Sequence, residues 1–138
     1  MATVSVSRTV TAPESTVRDA ITDVGPFMRA AGFDEVIVEG DEIRLTNRVG
    51  IAELQLTLGI LDLDDAVLAY EQRDGMFESM RTVYRLESID ATTVRVEATT
   101  DFALDVSLVG DLLDSTVVSR QRRRELDAQF DYLETLGE

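Results

Sequence analysis

The chain has 138 residues, the size of one ordinary domain that buries roughly 70% of its unfolded surface, and no apolar run approaches the roughly 20 residues that span a bilayer. Cysteine and histidine are both absent, which excludes disulfides, thiolate nucleophiles, histidine bases and most zinc or non-haem iron sites. With 27 acidic against 13 basic residues, a net charge of −14 works against the counterion release through which basic faces bind nucleic acid, and no nucleic-acid partner is expected.

The opening MATVSVSRTVTAPE alternates polar and apolar residues instead of forming the continuous apolar core of a signal peptide, so the cytoplasm is the expected compartment. Thr3 to Val10 places Val4, Val6 and Val10 on one face and predicts a first strand. Pro13 and Glu14 suit the start of a helix, and Val17, Ala20, Ile21 and Val24 recur at helical spacing until Gly25 and Pro26 break it. A second short helix is expected from Phe27 to Ala31, closed by Gly32.

From Phe33 to Leu104 the period changes to two. Gly40 and Asp41 separate strands at Val36 to Glu39 and Glu42 to Val49; Gly50 precedes Ile51 to Ile60; LDLDD leads into Ala66 to Arg73. Asp74 and Gly75 form a hairpin turn, and Ile89 to Thr92 make the last bend. Short connections between six successive strands favour an antiparallel meander over parallel βαβ units. The final segment, about Val106 to Leu136, has no proline, has no glycine after Gly110, and shows helical apolar spacing. One domain over residues 1–138 is expected, of class α+β and order β-α-α-β6-α.

A strand followed by APESTVRDAITD, a meander containing YEQRDGMFESMRTVYRL and ATTVRVEATTDF, and a long last helix resemble the START-like superfamily, also called SRPBCC. That superfamily includes polyketide cyclase-like and lipid-transfer proteins. The resemblance implies a helix-grip fold, in which a curved antiparallel sheet wraps the C-terminal helix around an apolar cavity. The chain departs from many members in having no tryptophan after the first helix, so the resemblance does not extend to a subfamily. Its acidity, with arginine as every one of its 13 basic residues, is similar to that of proteins from extreme halophiles. At about 1 M salt the Debye length shrinks to about 3 Å, and self-repulsion of this size is largely screened.

Alternation names the expected cavity wall: Leu54, Leu56, Leu58 and Ile60 on one strand, Leu68, Tyr70 and Gln72 on the next, and Val94 to Leu104 at alternate positions, including Phe102. Glu78 shares a predicted strand face with Met76, Met80, Thr82 and Tyr84. Tyr70 and Tyr84 are the polar handles, since buried hydroxyls need partners. On the last helix, Leu112, Thr116, Ser119, Leu126, Phe130 and Leu133 fall on one stripe, with Arg123 near its centre. Arg123 is then either a surface residue whose stem packs on the sheet or a polar anchor in the cavity, with Glu78 as its candidate partner. The expected ligand-binding set is Leu54, Leu56, Leu58, Tyr70, Glu78, Met80, Tyr84, Phe102, Leu112 and Arg123.

LDLDD lacks the glycine and distal glutamate of a calcium loop and reads as a solvated acidic turn, and no phosphate-binding or nucleophile-elbow motif occurs. No metal, cofactor or catalytic residue is expected. The resemblance implies binding or carriage of a small hydrophobic molecule, such as a lipid, quinone or polyketide-like compound, without stable membrane insertion. The alternatives are a cyclase or dehydratase-like enzyme using Glu78, Tyr84 or Arg123, and a module that binds a protein partner.

Overall fold

Among the described residues, seven strands carry the alternation seen in the sequence: β1 (Ala2–Val10), β2 (Glu35–Glu39), β3 (Glu42–Val49), β4 (Ala52–Leu61), β5 (Leu68–Asp74), β6 (Phe77–Asp90) and β7 (Thr93–Leu104). The computed structural model describes residues 1–49, 51–105 and 114–137. All neighbouring strands run antiparallel in the order β1-β7-β6-β5-β4-β3-β2. The meander from β2 to β7 thus forms as expected, and the first strand closes onto the last. At the β2–β3 hairpin, Glu39 pairs with Glu42 and Gly40 takes φ +60°, a left-handed conformation that costs glycine little.

Among the described residues, three helices accompany the sheet: α1 (Glu14–Thr22), α2 (Val24–Arg29) and α3 (Ser115–Thr135). Together with the curved sheet they make an α+β helix-grip fold. The expected break at Gly25 and Pro26 is not the boundary, because α2 already begins at Val24. Pro26 falls in its first turn, where a missing N–H leaves no helical bond unmade. The expected start of the last helix at Val106 lies outside the described residues; α3 itself begins at Ser115, where Asp114 is extended at φ −113° and accepts a hydrogen bond from the Val117 amide at 2.9 Å. That capping bond ends the helix on its N-terminal side.

The buried faces of these elements form one apolar cluster. Val17 and Ile21 of α1, Phe27 and Met28 of α2, and Leu126, Phe130 and Leu133 of α3 are sealed against alternate residues of the sheet, including Val10, Ile43, Leu58, Val94, Val96 and Phe102. Each large apolar side chain withdrawn from water contributes about 1.5–3 kcal/mol. Arg8 of β1 fastens the C-terminal half of α3 through Asp127, Asp131 and Glu134, and its guanidinium lies 5.9 Å from the Phe130 ring centroid.

Candidate functional site

The inward face of α3 is mixed in character. Val118, Arg122, Glu125, Gln129 and Leu133, spaced four, three, four and four apart, all turn toward the sheet and are buried. Thr116 and Arg123 are exposed, so the true inward stripe is rotated from the expected one. Arg122, not Arg123, holds its centre. Arg123 donates to the Ser5 carbonyl, at 3.4 Å on the surface.

Burying Arg122 is tolerable because each of its three nitrogens has a partner. Nε donates to Thr100 Oγ1 at 2.9 Å, Nη1 to Glu125 Oε1 at 3.0 Å, and Nη2 to the Tyr70 hydroxyl at 2.6 Å and Thr82 Oγ1 at 3.3 Å. Burial works against its charge, yet Tyr70, Tyr84 and Glu125 outweigh that effect and raise its pKa above the ordinary value. Glu125 Oε2 accepts from Asn47 Nδ2 at 2.8 Å and from Gln121 Nε2 at 3.2 Å. One buried ion pair on α3 therefore gathers side chains from β3, β5, β6 and β7.

A hydrogen-bond chain runs deeper. The Tyr70 and Tyr84 hydroxyls lie 3.2 Å apart, Tyr84 donates to Gln129 Oε1 at 2.6 Å, and Gln129 Nε2 donates to the Phe27 carbonyl at 3.1 Å. Burial pushes the Tyr84 phenol well above the usual tyrosine range, Tyr70 adds to the shift and Arg122 opposes it. Among the described residues, no buried side-chain nitrogen or oxygen lacks a hydrogen-bond partner.

In front of this network lies a cavity of about 50 Å³ between α3, α2 and the sheet. Leu54, Leu56, Leu58, Phe77, Phe102 and Val118 supply apolar wall, while Tyr70, Thr100, Asn47, Gln121, Arg122 and Glu125 form a polar end. Apolar cavities that admit benzene measure about 150 Å³, so an organic guest requires the wall to give. Of the chain's four methionines, Met28, Met76 and Met80 all line the cavity. Methionine is unbranched and repacks at low cost.

The structure brings together Leu54, Leu56, Leu58, Tyr70, Met80 and Phe102 of the expected set. Tyr84 is buried one hydrogen bond behind Tyr70 and does not reach the cavity surface. Leu112 lies outside the described residues. Glu78, expected beside Met80, is exposed, and the reason is a bulge. The β6–β7 register jumps between Phe77, opposite Leu104, and Ser79, opposite Ala103. Glu78 is the extra residue, which turns Phe77 inward and Glu78 out. The Gln72 amide stabilises that irregularity by bonding both the carbonyl and the amide of Phe77, at 2.8 and 3.1 Å. Neither Glu78 nor Arg123 therefore belongs to the cavity.

Sequence reasoning missed Arg122, Glu125, Gln129, Asn47 and Gln121, while Thr100 lines the cavity as the alternation of its strand predicts. The signal was the helical spacing of Arg122, Glu125 and Gln129 with Val118 and Leu133, a polar set that shares an apolar stripe.

No protein-family model and no curated protein sequence matches the chain. Its fold is nevertheless START-like. It is similar to a START superfamily protein from Mycobacterium smegmatis, at TM-score 0.76 and 10% identity over 96% of this chain and 94% of that one. It is also similar to the Zhui aromatase/cyclase from Streptomyces sp. R1128, at TM-score 0.77 and 23% identity over 96% and 93% of the two chains. The di-domain ARO/CYC StfQ from the steffimycin biosynthetic pathway matches at TM-score 0.66 and 15% identity, over 95% of this chain and 45% of that one. Among the described residues, no helix is long and apolar enough to cross a membrane.

Proposed function

We propose that this protein binds or carries a small, largely apolar molecule in the cavity between α3 and the sheet. The observation that carries this reading is the union of an apolar wall with a convergent polar end at Tyr70, Arg122, Glu125 and Asn47. Binding sites for small organic molecules combine these two features. Native mass spectrometry of protein purified without detergent tests it: the expected result is a retained small molecule, and Leu56→Trp, which fills the wall, abolishes retention. Wild-type protein that stays empty with every apolar compound offered contradicts the reading.

A second reading is supported by Tyr70 itself. Tyr70 lines the cavity, and its oxygen accepts from Arg122 Nη2 at 2.6 Å while its hydrogen goes to Tyr84; turning that hydrogen toward a guest would let it bond a ketone oxygen that gains charge during ring closure. This is cyclase-like chemistry, in line with the aromatase/cyclase among the similar structures. Turnover of a linear poly-β-ketone that disappears in Tyr70→Phe, with binding retained, supports it; wild-type protein without turnover contradicts it.

A further inference from the structure

The charged side chains lining the cavity, among the described residues, are Arg122 and Glu125, and each neutralises the other. Their ion pair is 3.0 Å long, with side-chain exposures of 10% and 7%. Residues 50 and 106–113 contain no arginine or lysine in sequence. A carboxylate or phosphate entering this end of the cavity therefore meets a cation that is already matched, and it comes to rest beside a second negative charge. Away from water that juxtaposition is strongly repulsive.

An uncharged oxygen group meets no such penalty. A ketone accepts a hydrogen bond from the second N–H of Arg122 Nη1, and an alcohol or phenol donates to Glu125 while accepting from its neighbours. Resting on ligand binding at this site as proposed above, we infer that the cavity selects uncharged, oxygen-bearing apolar molecules and rejects acids of the same skeleton. Glu125 is the specificity-determining residue.

Equilibrium dialysis of 2-naphthol and 2-naphthoate at pH 7 compares two guests of nearly equal shape that differ in charge. At about 1 M salt the Debye length of about 3 Å removes repulsion from the distant surface charge and leaves the local effect of Glu125. Wild-type protein is expected to bind 2-naphthol at least about tenfold more tightly. Glu125→Gln, which keeps an acceptor and removes the counter-charge, is expected to narrow that ratio at least about tenfold through a gain for 2-naphthoate. Equal or tighter binding of 2-naphthoate by the wild type overturns the inference while leaving ligand binding intact, as does an unchanged ratio in the variant. Failure of both compounds to bind overturns the binding reading itself and the inference with it. If Glu125→Gln does not fold, the wild-type ratio decides alone.

Discussion

Tyr84 on β6 donates its hydroxyl hydrogen to Gln129 on α3 at 2.6 Å, with both side chains fully buried. Gln129 passes the connection to the Phe27 carbonyl of α2, and the Phe27 ring meets Tyr84 edge-on at a centroid distance of 5.3 Å. Sheet, long helix and short helix are thus locked by directional bonds as well as by apolar area. A satisfied polar seam of this kind fixes one arrangement of the core, because any shift leaves a buried group unpaired.

That seam predicts a specific alkaline weakness. The folded Tyr84 pKa is raised well above 10, chiefly by burial, whereas the unfolded phenol titrates near 10. The unfolded state therefore sheds this proton first. Stability attributable to Tyr84 is complete below about pH 10 and drains away above it, by up to about 1.4 kcal/mol per pH unit. Urea titrations across that range are expected to show a shallower alkaline decline for Tyr84→Phe, which itself costs about 1–3 kcal/mol by orphaning Gln129 Oε1. Equal slopes for the two proteins count against the assignment.

The Arg122–Glu125 pair predicts a sharp contrast with the neighbouring arginine. Arg122→Met leaves Glu125 buried without its cation and is expected to cost about 3–5 kcal/mol, while Arg122→Met with Glu125→Met recovers a large share of that loss. Arg123→Met, on the solvent side of the same helix, is expected to change stability by less than about 0.5 kcal/mol. Denaturant midpoints distinguish these outcomes; a costly Arg123 change with a harmless Arg122 change reverses the assignment.

These two arginines also show where the sequence was readable. Val4, Val6 and Val10, or Leu54, Leu56 and Leu58, announce their strands because a period of two admits one buried face. The inward face of α3 is harder to read, since Arg122, Glu125 and Gln129 sit where an apolar stripe would place carbon. Their mutual hydrogen bonds exist only after β3, β5, β6 and α2 have assembled around them. Glu78 was misplaced for a related reason. A bulge held by the side chain of Gln72 breaks the alternation at a single residue, and no local pattern announces it.

The surplus of carboxylates predicts dependence on salt. At a net charge of −14, lowering salt from about 1 M to about 50 mM extends the Debye length from about 3 Å to more than 10 Å and exposes the fold to its own repulsion. Pairs such as Arg8 with Asp131, Arg81 with Glu71 and Arg85 with Asp65 offset part of it, each by at most about 1 kcal/mol. The melting temperature is expected to fall on dilution of salt. A melting curve independent of salt contradicts this account of the composition.

The most direct test of the central claim is an NMR measurement of 2-naphthol bound to methyl-labelled protein. Intermolecular NOEs from the ring to the methyls of Met28, Met76, Met80 and Leu56, with a shifted Arg122 Nε–H resonance, are the predicted result. NOEs confined to surface methyls such as Ile37 or Ile89, with the methyls lining the cavity silent, would contradict it.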